Sequence, residues 1–349
     1  MKSTVAILLW LWSAASIALG ALLYAILSMH PNGAVIWLIP LGFLIVGLAI
    51  NPFVAVNLLG GKRRKAALAV AACLLSLGGA LFLASGLGQY YFALRDTPDY
   101  ATAIPLLTIG AYAGSSVDAH NLGVAYQKGL GVARDPAAAA SWFTKAAERG
   151  FKEAQLALGH MLAVGEHQSA DFPAAIKWLR LAADQNSVPA MTLLGRVFTE
   201  SGSHQSLPVA RTWFESAANR GDVEALLALG DLQSKGMGGP QDQPEARRSY
   251  ERAAELGSVD GAYNLGVMHE YGRGGEVNFQ AAARYYEVSA NAGQTEGQIN
   301  LAVLLINGKG VERDLAKAKA LLTSAANSNN KEMVELANEN LRVIESMYQ

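Results

Sequence analysis

Hydrophobic and polar positions follow two different patterns along the chain. Three charge-free apolar stretches, residues 5–28, 34–60 and 66–88, occupy the first quarter. Beyond residue 94, apolar and small residues return at the three- and four-residue intervals of amphipathic helices, with polar residues between them. Each apolar stretch exceeds the roughly 20 residues that a helix needs to cross a hydrocarbon core of about 30 Å. The first pattern therefore predicts three transmembrane helices, and the second predicts a water-facing all-α region.

The loops orient the spans. His30-Pro31-Asn32-Gly33 permits a tight hairpin between the first two. Pro40 and Asn51-Pro52 remove backbone donors and predict a kink or early exit in the second. Lys62-Arg63-Arg64-Lys65, between the second and third, is the dense basic cluster expected to stay cytoplasmic. Lys2 agrees with it, so the chain beyond Tyr91 is expected outside the cytoplasm, with Trp37 and Tyr90-Tyr91-Phe92 as interfacial anchors. Residues 1–21 also resemble a signal peptide, but the apolar run continues unbroken to Ser28, which favours a retained span. Cleavage there leaves the later region on the same side.

The second pattern repeats. Leu122-Gly123, Leu158-Gly159, Leu194-Gly195, Leu229-Gly230, Leu265-Gly266 and Leu301-Ala302 recur at spacings of 36, 36, 35, 36 and 36 residues. Each is followed by a small pair: Ala146-Ala147, Ala182-Ala183, Ala217-Ala218, Ala253-Ala254, Ser289-Ala290 and Ala325-Ala326. Eleven residues before each pair stand the N-cap types Asp135, Asp171, Ser206, Asp242, Asn278 and Asp314. Just after it come Gly150, Asn186, Gly221, Gly257, Gly293 and Asn329, the types that adopt the left-handed conformation ending a helix. A second helix of about 14 residues is predicted between them. The first helix of each unit carries the Leu-Gly pair and ends at Gly129, Gly165, Gly236, Gly272 or Gly308, with Ser201 in the third unit. Four residues before each small pair, Trp142, Trp178, Trp213, Ser249, Tyr285 and Leu321 form a column expected to wedge between two closely approaching helices. Asp99, Gly110-Ala111 and Gly114 repeat the register as a lone second helix within a segment at 95–114, and residues 330–349 suit a C-terminal capping helix.

The unit DAHNLGVAYQKGLGVARDPAAAASWFTKAAERG, residues 118–150, resembles the Sel-one-like (Sel1-like) repeat, a relative of the tetratricopeptide repeat. The resemblance covers six units over 115–329. It implies a right-handed α-solenoid whose concave face, lined by first helices, binds other proteins in envelope assembly, secretion, signalling or exopolysaccharide systems. The third unit is one residue short and lacks the loop glycine pair, and Gln233 and His269 replace the large apolar or aromatic residue seen at Tyr126 and Phe198. These departures are expected to weaken single units.

Composition sharpens the division. The chain is 51% hydrophobic and 16% charged with a net charge of −1, but every acid lies beyond Leu94. The first 94 residues carry +5, and the remainder holds 23 basic against 29 acidic residues. A soluble globule and a transporter spanning the full length are both excluded. A single cysteine, Cys73, excludes an internal disulfide framework and a thiol metal cluster. Gly129-Leu130-Gly131 and Gly272-Arg273-Gly274-Gly275 follow helices and lack the Lys-Ser/Thr of a phosphate loop, so they read as turns. His160 and His167 are separated by the helix-ending Gly165, and His269-Glu270 has no second histidine, so neither forms a zinc motif. Arg247, Arg248 and Arg252 make a basic patch too small for nucleic acid in an acidic region. No catalytic constellation, cofactor or metal is expected.

These observations point to a membrane-anchored interaction scaffold, non-enzymatic, in a bacterial inner membrane with its repeats on the periplasmic side. The alternative is a structural subunit of a membrane polysaccharide or peptide transport or synthesis complex, or an envelope signalling regulator. The tetratricopeptide analogy selects groove residues three before and one and four after the repeat glycine. They are His120, Gln127, His160, Thr192, Arg196, Thr199, Asp231, Ser234, Tyr263 and Glu270. Carboxylates with an aromatic in the later repeats favour a basic or amide-rich segment of a protein partner; the lipid bilayer is the other expected contact.

Overall fold

The computed structural model describes residues 100–166, 168–200 and 206–347, with Gly79, Gly86 and Gln89. The three apolar stretches at 5–28, 34–60 and 66–88 fall outside the described residues apart from those two glycines, and so do His167 and the loop holding Ser201. Among the described residues, no helix is long and apolar enough to cross a membrane.

Those residues form an all-α solenoid of fourteen helices in two compact units, one ending at Asp135 and one beginning at Pro136. The first unit holds α1 (Tyr100–Tyr112) and α2 (Ser116–Lys128). The second contains α3 (Pro136–Glu148), α4 (Lys152–Val164), α5 (Phe172–Asp184), α6 (Val188–Glu200), α7 (Leu207–Ala218) and α8 (Val223–Lys235). It continues with α9 (Gln243–Glu255), α10 (Val259–Tyr271), α11 (Phe279–Asn291), α12 (Thr295–Asn307), α13 (Leu315–Ala325) and α14 (Lys331–Ser346). Even-numbered helices from α2 to α12 are the first helices of the repeats. In the second unit each packs between its own second helix and the preceding one. Among first helices, α6 also touches both α4 and α8. The last helix, α14, covers α12 and α13 and buries Ala337 and Ile344.

Side-chain caps start the second helices where the sequence places them. Asp171, Asp242, Asn278 and Asp314 accept from the amides of Ala174, Glu245, Ala281 and Lys317 at 2.8–3.0 Å. Ser206 does not: its backbone is already helical and its hydroxyl makes no cap bond. The small pairs close the other end, because their carbonyls take the paired bonds of a left-handed helix ending. Gly257 N–H donates to Ala254 O at 2.9 Å and Ser258 N–H to Ala253 O at 2.9 Å, and the same two bonds recur after Ala147, Ala183, Ala218 and Ala290. Asn186 takes the left-handed conformation at φ 60°, as expected. Asn329 does not, because α13 ends early at Ala325 and Asn330 instead caps α14 through the amides of Glu332 and Met333. The second helices run 11 to 13 residues, slightly shorter than the caps imply.

The wedge column sits one residue further on than the sequence reading placed it. Trp142, Trp178 and Trp213 are half-buried, whereas Phe143, Leu179, Phe214, Tyr250, Tyr286 and Leu322 are 0–5% exposed. A Cβ built on Gly159, Gly195, Gly230 or Gly266 meets Leu179, Phe214, Tyr250 or Tyr286 at 2.6–2.7 Å, so each side chain fills the space its glycine vacates. Burying such a side chain contributes roughly 1.5–3 kcal/mol. Loop glycines join successive repeats: Gly238 lies on the Leu207-Pro208 backbone and Gly274 on that of Gln243-Pro244, both at positive φ. There, backbone packs on backbone with no room for a side chain.

Candidate functional site

The first-helix row of the last three repeats is acidic. Helices α8, α10 and α12 carry Glu224, Asp231, Asp260, Glu270 and Glu296 against one lysine, Lys235. Two of these carboxylates are fixed from beneath by the wedge residues. The Tyr250 ring lies across Gly230, and its hydroxyl reaches Asp231 at 2.5 Å. The Tyr286 ring crosses Gly266 in the same way and donates to Glu270 at 2.6 Å. Glycine permits this passage: the phenol is anchored in the core while its polar end emerges beside the first helix. Phe143, Leu179, Phe214 and Leu322 have no hydroxyl to send through.

Tyr263 of α10 stands beside this arrangement, its ring centroid 6.0 Å from that of Tyr286 and tilted by 40°. Asn300 of α12 faces both tyrosines. Burial, reinforced by the Asp231 carboxylate, pushes the Tyr250 hydroxyl well above its ordinary range. Burial and then Glu270 do the same for Tyr286, and burial raises Tyr263. All three phenols are neutral at physiological pH, so Tyr250 and Tyr286 act as donors to Asp231 and Glu270. The result is a row of acceptor oxygens with an aromatic face beside it, chemistry suited to guanidinium, ammonium or amide groups.

Other sequence-selected residues are placed variously. Arg196 is exposed and pairs across repeats with Glu224 at 3.4 Å and within α6 with Glu200 at 3.9 Å. His160 is exposed on α4; Thr199 and Ser234 are half-buried and bond back to Gly195 and Asp231 carbonyls at 2.8 and 3.0 Å. Thr192 is 5% exposed, with its hydroxyl on the Val188 carbonyl at 3.3 Å, so it offers little surface. His120 and Gln127 are half-buried on α2 in the first unit. The structure brings Tyr263 and Glu270 together through Tyr286; Asp231 and Ser234 share one turn of α8.

Sequence reasoning missed Tyr250, Tyr286 and Asn300. Tyrosine in place of Leu or Phe just after the Trp column is the signal that could have found the first two. His269 and Glu270 diverge: His269 is 9% exposed, stacked on Tyr285 at 5.5 Å and touched by Arg247 at 2.9 Å, while Glu270 turns to Tyr286. The arginines of the small basic patch are engaged separately, Arg248 with Glu245 and Arg252 with the Ala218 carbonyl at 2.9 Å. Among the described residues, no group of three or more His, Cys, Asp or Glu side chains is placed to hold a metal.

The Sel1 repeat family matches the chain six times in succession, at residues 117–151, 152–187, 188–222, 223–258, 259–294 and 295–330. The crystal structure of a Sel1 repeat protein from Oxalobacter formigenes is 27% identical, covers 70% of this chain and 98% of its own, and superposes with a TM-score of 0.57. A protective antigen of uropathogenic Escherichia coli with an SLR fold is 25% identical over 79% of this chain and 71% of its own, with a TM-score of 0.43. An uncharacterised protein of Neisseria meningitidis serogroup B is 31% identical over 94 residues, 27% of this chain, and the match spans 19% of that relative's length. With six contiguous matches over more than half its length, the chain belongs to the Sel1 repeat family.

Proposed function

We propose that this protein is a membrane-anchored protein–protein interaction scaffold of the bacterial envelope. Its Sel1 repeats would face the periplasm and hold a basic or amide-rich segment of a partner on the first-helix row. The repeats themselves support the scaffold role, since a stack of helix pairs supplies extended surface. Anchoring rests on the three apolar stretches and the Lys62–Lys65 cluster of the sequence.

The observation that carries the partner chemistry is the pair of tyrosine-fixed carboxylates, Asp231 on Tyr250 and Glu270 on Tyr286. Fixing an acid by a core hydroxyl removes rotamer freedom before a partner arrives, which lowers the entropic cost of binding. In-membrane crosslinking with mass spectrometry tests it. Asp231→Asn with Glu270→Gln preserves an acceptor for each tyrosine and removes both charges. Capture of the crosslinked partner should fall about tenfold, the loss expected when charge-assisted bonds go. Undiminished crosslinking to the same partner would move the binding surface elsewhere.

A further inference from the structure

The array begins with a helix whose outward face is apolar. On α1, Pro105, Ile109 and Tyr112 share one face at helical spacing and are exposed, Ile109 at 44% and Tyr112 at 72%. The same three register positions are Ser141, Lys145 and Glu148 in the second helix of the first repeat, and Arg248, Arg252 and Glu255 in that of the fourth. Polar side chains hold at least two of the three in every repeat. Residues 100–117, by contrast, contain no charged side chain. The exchange continues onto α2, where Val117 is 37% exposed at the position taken by Glu153, Glu224, Asp260 and Glu296 in later repeats. A terminal cap of a repeat array in water needs a polar outer face, and this one lacks it.

A buried hydrogen bond fixes what lies next to that face. Asp118 of α2 is fully buried, and its Oδ1 accepts from the Gln89 side chain at 2.7 Å. Later repeats have Ala154, Ala190, Ala225, Gly261 and Gly297 at this position, all small and buried. Only the first repeat places a carboxylate there, and it reaches out of the array to the residue that directly follows the third apolar stretch. Between α1 and α2 stand only Ala113, Gly114 and Ser115. The last turn of α1, with Ile109 and Tyr112, is therefore held close to the end of the stretch at 66–88.

We propose that α1 and the start of α2 lie on the bilayer surface, with Ile109, Tyr112 and Val117 set into the boundary between headgroups and acyl chains. This rests on the membrane-anchored reading above, in which residues 66–88 span the bilayer. Ile109 and Val117 supply hydrocarbon, and Tyr112 supplies the amphipathic ring that suits the boundary. The partner is a neutral lipid surface, because the face carries no lysine or arginine to seek anionic headgroups. The first repeat is then held at two places, the Gln89–Asp118 bond and the α1 face, rather than swinging on a single link.

The test uses the full chain in phosphatidylcholine vesicles, with its one cysteine removed by Cys73→Ser. A nitrobenzoxadiazole label is placed through Ala113→Cys, beside Tyr112, or through Ala292→Cys, the same register position after α11; both alanines are exposed. Lipid carrying a nitroxide near its headgroup should remove roughly half of the emission at the Ala113 site, as for a probe about 5–10 Å into the boundary, and leave the Ala292 site unchanged. Ile109→Lys with Tyr112→Glu writes the first repeat's Lys145 and Glu148 into α1. It should restore the emission at the Ala113 site while the chain still resists an alkaline wash. Emission there that ignores the nitroxide, in a chain that resists the wash, would overturn the proposal and leave the anchor standing. An undiminished loss in the folded double variant would overturn it too. Should that variant not fold, the comparison of the Ala113 and Ala292 sites decides alone. A chain released by the wash would overturn the anchor and the proposal together.

Discussion

Ser249 donates its hydroxyl to the side-chain carbonyl of Gln233 at 2.8 Å, inside the fourth repeat where both residues are buried. In the second repeat the same two positions are Trp178 and Leu162, and in the fifth they are Tyr285 and His269, which stack. Two departures that look like separate weaknesses in sequence are thus one exchange of an apolar contact for a polar one. Ser249→Ala should cost about 1–3 kcal/mol by leaving the Gln233 carbonyl unpaired. Ser249→Trp with Gln233→Leu, the second-repeat pair, should recover most of what either change loses alone. Urea unfolding of a fragment from Thr97 to Gln349 measures this coupling.

The wedge assignment separates neighbouring residues. Leu179→Ala should destabilise the same fragment by about 2–5 kcal/mol, because it empties a fully buried site over Gly159. Trp178→Ala, at a half-buried position with Lys177 over its ring, should cost clearly less. Equal losses would return the wedge role to the tryptophan.

Acid should weaken the fifth repeat through His269. Burial, and next the positive charge of Arg247, hold its imidazole below the usual range. The unfolded chain therefore takes up a proton more readily than the folded one as pH falls through about 6.5. The stability due to this neutral histidine is complete above that pH and is lost progressively below it. Melting temperatures at about pH 7.5 and 5.5 should differ less in His269→Leu than in the parent.

Topology follows from the basic loop between the second and third apolar stretches. Alkaline phosphatase fused after Asp99 should be active, and replacing Lys62, Arg63, Arg64 and Lys65 by Gln should reduce that activity by weakening the orientation bias. A fusion inactive in the parent chain would place the repeats in the cytoplasm.

Repeat boundaries were legible because a helix end uses few residue types. Asp or Asn at a cap and Gly or Asn after a small pair leave little choice, and Asp242, Asn278, Gly221 and Gly257 behave accordingly. Ser206 and Asn329 depart because the helix ends fall elsewhere: Ser206 already has helical backbone, and α13 stops at Ala325 with Asn330 capping α14. The wedge was harder to read: Trp142-Phe143 and Trp213-Phe214 each offer two large apolar residues in succession, and periodicity alone does not choose which points inward. At the candidate site, the tetratricopeptide analogy selects Asp231, Tyr263 and Glu270 but not the phenols of Tyr250 and Tyr286 that reach the two carboxylates. That contact runs through a glycine gap, between residues 16 to 19 apart.

The helix endings shared by the repeats also make length a counted quantity. Asp222 caps α8 through Ala225 N–H at 2.8 Å, and Ser258 caps α10 through Gly261 N–H at 3.0 Å, each just after a left-handed glycine. Excising residues 223–258 would leave Asp222 at the head of the helix that begins at Val259, with its local ending and starting chemistry unchanged. Duplication of the same stretch would be as quiet. A gene carrying this array can therefore gain or lose reach in whole steps, while an indel of any other size must be absorbed inside a loop.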